Sequence, residues 1–150
     1  MSLITRNLAL IALTFALAAC EAPIIFTSGG ALDGIEAEPP AVWQFEQASD
    51  LAQLETRPEE PYSINLVYVQ MDGKLYIYAG PTRTNWVQHI EEDPRVRLLI
   101  GDTIYPLRAV RIEDQAELEA FAKLWVEGSF FQRDPLQFDE VWLYQLDARG

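Results

Sequence analysis

The sequence predicts an α+β fold, in which six or seven short, mostly antiparallel strands form a barrel-like sheet with two short helices inserted between them. Turn dipeptides that each separate two strand-like runs are the first observation, and they fall at Asp72-Gly73 and Gly101-Asp102. Two amphipathic helical patterns are the second observation. The chain has 150 residues, of which 49% are hydrophobic, so we expect one domain with a buried core.

The N-terminus has the pattern of an export signal. Arg6 precedes an apolar run from Leu8 to Leu17, and this run is shorter than the roughly 20 residues that span a bilayer. The sequence Leu-Ala-Ala-Cys that ends at Cys20 resembles the lipobox of bacterial lipoproteins. This resemblance implies a signal peptide of residues 1–19 and lipidation of Cys20. An ordinary export signal with an incidental cysteine is the alternative.

A lipid on Cys20 would also explain the only cysteine of an exported chain, because a lone thiol has no intramolecular disulfide partner. Glu21 stands where the inner-membrane retention signal of lipoproteins has Asp, so the resemblance favours the outer membrane. We therefore predict a lipid-anchored membrane protein of the cell envelope that faces the periplasm. The net charge of -12 argues against a nucleic acid as partner.

Residues 20–40 mix Gly, Pro and acidic residues without a sustained period, which predicts a tether, and the folded domain is expected over residues 41–149. Residues 42–47 alternate between apolar and polar side chains in the pattern of a half-buried strand. Residues 51–57 favour a second strand over a helical turn. Residues 140–146 predict a closing strand.

The two turn dipeptides fix the register of two hairpins. In the first hairpin Val69 faces Tyr76, and both faces are largely apolar, which predicts a barrel wall covered by a helix or a second subunit. In the second hairpin Leu98 faces Tyr105. Pro106 cannot donate to a ladder, so its strand should have an edge or a bulge at that position.

Two helices are predicted from capping signals and apolar periodicity. The first begins at Asn85 as N-cap, with Gln88 at capping-box spacing, and Pro94 ends it. The second has Asp114 and Glu117 in the same relation. Its apolar face consists of Leu118, Phe121, Ala122 and Trp125.

The loop before the first helix contains the parts of an anion site. A helix N-terminus offers unpaired amide groups and a partial positive charge. Gly80 allows close backbone approach, Thr82 and Thr84 supply hydroxyls, and Arg83 supplies a guanidinium group. One of the 23 acidic residues is the alternative partner for Arg83.

The region from about Pro61 to Trp125 resembles the flavin-binding split β-barrel proteins of the pyridoxamine-phosphate-oxidase-like superfamily, nearest the deazaflavin-dependent nitroreductase-like branch. The run INLVYVQMDGKLYIYAG carries the resemblance, followed by a tryptophan, a short helix that ends in Asp-Pro, and the strand RVRL. The resemblance implies an FMN or deazaflavin cofactor, oxidoreductase chemistry and a homodimer. It also implies that the cofactor is held by Gly80, Thr82, Arg83, Thr84 and Trp86, with Asn65 and Tyr78 along the barrel wall.

Two hypotheses follow for the function. The first is an FMN-binding or deazaflavin-binding oxidoreductase. The second is a cofactor-free barrel that acts as a binding or scaffolding module in the envelope; Glu59 and Glu60 favour it, because carboxylates repel a phosphate. Trp86 has a structural alternative as a core residue packed against Ile90, and His89, the sole histidine, is expected on the helix surface without a metal.

Overall fold

The structure, a computed structural model, describes residues 28–128 and 132–150. The predicted signal peptide and Cys20 lie outside the described residues. The elements in chain order are β1 Ile35–Glu36, β2 Ser49–Thr56, β3 Tyr62–Met71, β4 Lys74–Tyr78, α1 Asn85–Glu92, β5 Arg95–Ile100, β6 Thr103–Arg111, α2 Gln115–Glu127, a 3-10 helix Pro135–Gln137 and β7 Leu143–Ala148. No described helix has both the length and the apolar character that crossing a membrane requires.

Six antiparallel strands form a closed barrel in the described part of the chain. The sheet order is β6-β5-β2-β3-β4-β7, and pairing between β6 and β7 closes the ring. The short strand β1 adds to β6 in parallel from outside the ring. The predicted α+β barrel with two helices is therefore confirmed.

Both predicted hairpins have the register that the sequence implies. Val69 lies opposite Tyr76, and Leu98 lies opposite Tyr105. The first turn has positive φ at both central residues, 51° at Asp72 and 74° at Gly73, as a type I′ turn requires. Pro106 lies between the part of β6 that pairs with β1 and the part that pairs with β7, where an edge position was predicted.

Residues 42–47 are not the predicted strand. They form no ladder, and two backbone amides bond the first hairpin instead: Trp43 N donates to Gly73 O at 2.8 Å and Phe45 N donates to Gln70 Oε1 at 2.7 Å. The alternation of apolar and polar residues in the sequence reflects burial and not strand pairing. Trp43 is buried, and its two neighbours are exposed. The Trp43 ring meets the Tyr105 ring at 4.9 Å and closes one end of the barrel.

Helix α1 lies at the opposite end of the barrel, where β2 ends and β3 begins. It buries Trp86, Val87 and Ile90, while His89 lies half-buried with Nδ1 2.9 Å from Thr56 Oγ1. The predicted capping box is wrong. Thr84 is the N-cap and its side chain makes no capping bond, and the Gln88 side-chain amide donates to Arg83 O at 3.2 Å and not to an N-cap group.

Helix α2 covers the outside of the barrel wall, as the two apolar faces of the first hairpin predicted. Its N-cap is Asp114, whose side chain accepts the amide of Glu117 at 2.8 Å, so this predicted cap is confirmed. Phe121 is fully buried against Tyr76 and Leu143. The helix therefore covers β3, β4 and β7 near the first hairpin.

A second cover comes from residues 29–37, which we call the strap, within the segment predicted as a tether. The strap runs from the edge of β3, where it pairs with Ser63, to the edge of β6, where it continues as β1. Between these points Leu32 N donates to Glu55 Oε2 at 2.7 Å. Folded structure therefore begins before residue 41. The sequence did not predict this because the polar composition of the segment gives no sign of its backbone pairing.

The strap covers a buried ion pair. Glu55 is only 3% exposed and accepts two bonds from Arg97 Nη1, at 3.1 and 3.3 Å. The same guanidinium lies 3.7 Å from Glu36 in β1. Glu55 therefore holds the strap directly through its bond from Leu32 N, and indirectly because it positions the Arg97 guanidinium near Glu36.

We expect Glu55→Ala to lower the free energy of unfolding by about 3 kcal/mol, because it leaves Arg97 without its buried partner and Leu32 N without its acceptor. Urea unfolding monitored by circular dichroism measures this change. The matched control is Glu59→Ala, which removes an exposed carboxylate from Arg95 and should change stability by less than about 1 kcal/mol. Equal effects of the two substitutions would contradict the role of the strap.

Candidate functional site

The loop between β4 and α1 is held by backbone hydrogen bonds to the segment that leads into β7. Ala79 N donates to Trp142 O at 2.9 Å, and Trp142 N donates to Gly80 O at 3.0 Å. Gly80 has a φ of 67°, a backbone conformation that side chains with a Cβ rarely adopt. The sequence therefore places glycine where the chain turns away from the sheet.

A cleft of about 510 Å³ lies beside this loop, within the range typical of small-molecule sites. Three aromatic residues line it, Tyr78 from β4, Trp125 from α2 and Phe138 from the segment after the 3-10 helix. The remaining lining comes from residues 79–82 and residues 132–133, which include Arg133. The cleft thus combines an aromatic wall with backbone groups and one cation.

Tyr78 lines the cleft and also has a buried hydroxyl. Its ring meets the Trp125 ring edge to face at 5.0 Å, and the Phe121 ring at 5.4 Å. The hydroxyl is buried and has no hydrogen-bond partner among the described residues. Burial raises the pKa of Tyr78 to about 12, so the hydroxyl remains a protonated donor at neutral pH.

Arg83 does not line the cleft. Its Nε donates to Glu91 Oε2 at 2.6 Å, and the side chain is 54% exposed. The alternative that the sequence left open, a carboxylate of the chain as partner, is the arrangement found. Thr82 does line the cleft, whereas Thr84 lies at the start of α1 with a buried hydroxyl.

The other predicted site residues are dispersed. Trp86 is 6% exposed and belongs to the barrel core, where its ring packs on Tyr144 at 6.1 Å, which matches its structural alternative. Asn65 lines a separate cleft of about 230 Å³ on the outside of β2 and β3. Of the seven predicted cofactor-binding residues, the structure brings Tyr78, Gly80 and Thr82 together at one cleft.

Glu59 and Glu60 do not line the cleft, and each carboxylate is paired with an arginine. Glu59 bonds Arg95 at 3.0 Å, and Glu60 forms an ion pair with Arg57. Arg95 also binds Asp93, and these hydrogen bonds lower the pKa of Asp93 to about 2. Arg95 also lies opposite Arg108 in the β5–β6 ladder, and these carboxylates offset the repulsion between the two guanidinium groups.

Arg133 is the functional candidate that the sequence reasoning missed. It follows α2 in a segment without periodicity, so no pattern connected it with the loop at Gly80. Among the residues that the structure describes it makes no ion pair or hydrogen bond. Within the same described ranges, no group of three or more acidic, His or Cys side chains could hold a metal ion.

Known structures share this fold. A protein assigned as a pyridoxamine 5′-phosphate oxidase from Listeria innocua matches with a TM-score of 0.54 and 16% identity, over 67% of this chain and 84% of that one. An F420-H2-dependent reductase matches with a TM-score of 0.54 and 19% identity, over 65% and 93% of the two chains. A chain described as a domain-swapped dimer matches with a TM-score of 0.54 and 19% identity, over 65% and 79%.

No family model and no curated protein matches the sequence. At the identities of the structural matches the likeness shows the fold alone. The protein therefore has an α+β split-barrel fold, which is the fold that the sequence resemblance implied.

The buried Tyr78 hydroxyl predicts a stability change in alkali. Its pKa of about 12 in the folded protein exceeds the value of about 10 in an unfolded chain, so the folded state favours the neutral form. This stabilisation is complete below about pH 10 and is lost as the pH rises towards 12.

We expect the melting temperature to fall over that interval, and to fall less steeply in Tyr78→Phe. Burial also raises the pKa of Tyr68 and Tyr144, so part of the slope should remain in the variant. Thermal melts at a series of pH values measure the slope. If the melting temperature falls equally steeply with pH in the two proteins, the pKa of Tyr78 does not differ between the folded and unfolded states.

Proposed function

We propose that this protein is a flavin-type split-barrel oxidoreductase of the cell envelope, which binds FMN or a deazaflavin in the cleft beside residues 80–82. The observation that carries the proposal is the pairing of an aromatic wall with an uncommitted cation, Arg133, in one cleft of suitable volume. Solved structures with the same fold include an F420-H2-dependent reductase, which supports a cofactor of this class.

The residues of the cleft fit such a cofactor. The rings of Tyr78, Trp125 and Phe138 offer aromatic surfaces for a planar tricyclic ring. Arg133 and the backbone of residues 80–82 would bind the phosphate. When bound, the cofactor would supply hydride transfer, and the protein would orient its ring and bind its anionic side chain.

The cofactor-free binding or scaffolding module is the second candidate. The ion pair between Arg83 and Glu91 favours it, because the guanidinium expected to bind phosphate already has a carboxylate partner. The two candidates differ in whether the cleft binds a flavin at all, and this difference is measurable.

We expect the purified protein to bind FMN or a deazaflavin with a rise in melting temperature, because a ligand that binds only the folded state stabilises it. Arg133→Ala should weaken cofactor affinity at least about tenfold through the loss of a charge-assisted contact. Trp125→Ala should weaken it further through the loss of an aromatic wall. Titration followed by flavin fluorescence gives the affinities.

Lys123→Ala on the exposed surface of α2 is the matched control, and it should leave affinity unchanged. Arg83→Ala should also bind normally, since Arg83 faces Glu91 and not the cleft. No binding of either cofactor by the unmodified protein would reject the oxidoreductase and favour the cofactor-free module.

Attachment to the membrane through lipid on Cys20 is the second part of the proposal, and the lipobox-like sequence supports it. We expect Cys20→Ser to abolish incorporation of labelled fatty acid and to release the protein from the membrane fraction. A variant that is still lipidated or membrane-bound would contradict attachment at this thiol. Outer-membrane placement is inferred from Glu21, and sucrose-gradient separation of the two membranes measures it.

A homodimer is the partner arrangement that we infer. A structure with the same fold is a domain-swapped dimer, which supports it. The outside of β2 and β3 between α2 and the strap also exposes apolar surface, including Leu51 at 56%. This face would be available to a second copy of the chain.

A further inference from the structure

Three buried donor atoms occur in the elements that meet at the α1 end of the barrel, and none has a hydrogen-bond partner among the described residues. They are Thr84 Oγ1, Arg111 Nε and the Tyr144 hydroxyl. Thr84 is the N-cap of α1, Arg111 ends β6, and Tyr144 lies near the start of β7. Buried donors are nearly always satisfied in folded proteins, so unsatisfied donors in one region indicate water, an ion or a ligand.

The geometry brings Arg111 and Tyr144 together. They are partners in the ladder that closes the barrel, and the residues two positions away on each strand, Ala109 and Leu146, belong to the interior core. The guanidinium carbon of Arg111 lies 3.8 Å from the centre of the Trp142 ring and 5.9 Å from that of Tyr144. Both side chains therefore face the inside of the barrel at its end.

Helix α1 reaches the same place. Trp86, in the first turn of α1, packs edge to face on the Tyr144 ring at 6.1 Å. The first turn of an α-helix has amide groups without intrahelical partners, and the side chain of Thr84 does not cap them. A fully buried tyrosine, 2% exposed, thus packs against the first turn of a helix whose amides lack a side-chain cap.

The charges around the cluster leave it positive on the barrel side. Arg111 donates to Val141 O at 2.5 Å and lies 3.8 Å from Glu140, whose side chain is largely exposed. Arg83 and Glu91, nearer the helix, neutralise each other at 2.6 Å. Burial raises the pKa of Tyr144, while the charge of Arg111 and the approach of its guanidinium to the Tyr144 oxygen oppose the rise; the hydroxyl keeps its proton at neutral pH and has no acceptor for it among the described residues.

We propose that Arg111, Tyr144 and Thr84 form a binding site for an oxyanion group, a carboxylate or a phosphate, at the α1 end of the barrel. The site is separate from the flavin cleft, because none of the three residues lines that cleft. Trp142 lies between the two: its backbone bonds Gly80 and its ring contacts the Arg111 guanidinium. Charge-assisted bonds from Arg111 and neutral bonds from two hydroxyls match the acceptors of an oxyanion.

The test uses inorganic phosphate and acetate as probes on the purified protein, at constant ionic strength maintained with chloride. We expect a saturable rise in melting temperature with one or both anions. A response to phosphate alone assigns a phosphate group, and a response to acetate alone assigns a carboxylate. If neither anion gives a saturable response, the proposal is overturned, and the three donors are satisfied by water instead.

Variants locate the response. Tyr144→Phe removes only an unpartnered hydroxyl, so it should fold without loss of stability yet weaken anion affinity. Arg111→Gln should weaken affinity at least about tenfold, through loss of a charge-assisted bond. Arg108→Gln, three residues earlier on β6 and exposed, is the matched control and should bind normally.

Two outcomes would overturn the assignment even if anions bind. The first is an affinity that is unchanged in both Tyr144→Phe and Arg111→Gln. The second is an anion response that persists in Arg111→Gln and is lost in Arg133→Ala, which would belong to the flavin cleft. Failure of FMN binding alone leaves this proposal standing, because Arg133 and Trp125 take no part in the site.

Discussion

The ladder between β6 and β7 is the constraint on which the rest of the structure depends. It runs from Leu107 opposite Ala148 to Arg111 opposite Tyr144, and it converts an open sheet into a ring. A closed barrel has two ends that must be covered. Trp43 covers one end beside the first hairpin, and α1 covers the other. The polar pair that ends the ladder therefore lies under α1.

The outside of the ring is divided between two covers that come from different parts of the chain. Helix α2 packs over the wall near Tyr76, and the strap crosses the wall near Glu55. The cleft proposed for a flavin forms where α2 ends beside the loop after β4, and its three aromatic residues come from β4, α2 and the segment after the 3-10 helix. Its composition depends on packing between segments that are distant in sequence.

Local signals in the sequence predicted the parts of the fold that depend on neighbouring residues. The two turn dipeptides gave both hairpin registers, and Asp114 gave the cap of α2. Residues 42–47 and the strap were mispredicted because alternation and composition report exposure but not which backbone groups pair. In both segments the hydrogen-bond partner lies far along the chain.

The candidate site was predicted only where it is local. Gly80 and Thr82 lie in the loop that the sequence predicts between a strand and a helix, and the structure places both at the cleft with Tyr78. The partner of Arg83 was ambiguous in sequence; Arg83 directly precedes the N-cap of α1, and in the structure it binds Glu91 near the end of that helix. Arg133 and the inward-facing Arg111 became visible only after the chain was folded, because their partners come from other strands and segments.

The path of the strap has a mechanical consequence for a chain tethered by its N-terminus. Tension applied ahead of residue 29 would load the pair between Gly29 and Ser63 first and then the bond from Leu32 to Glu55. The ring of six strands does not include β1, so these contacts can break one after another while the barrel stays closed. If the N-terminus is anchored as proposed, detachment of the strap would lengthen the segment between the anchor and the barrel without unfolding the domain.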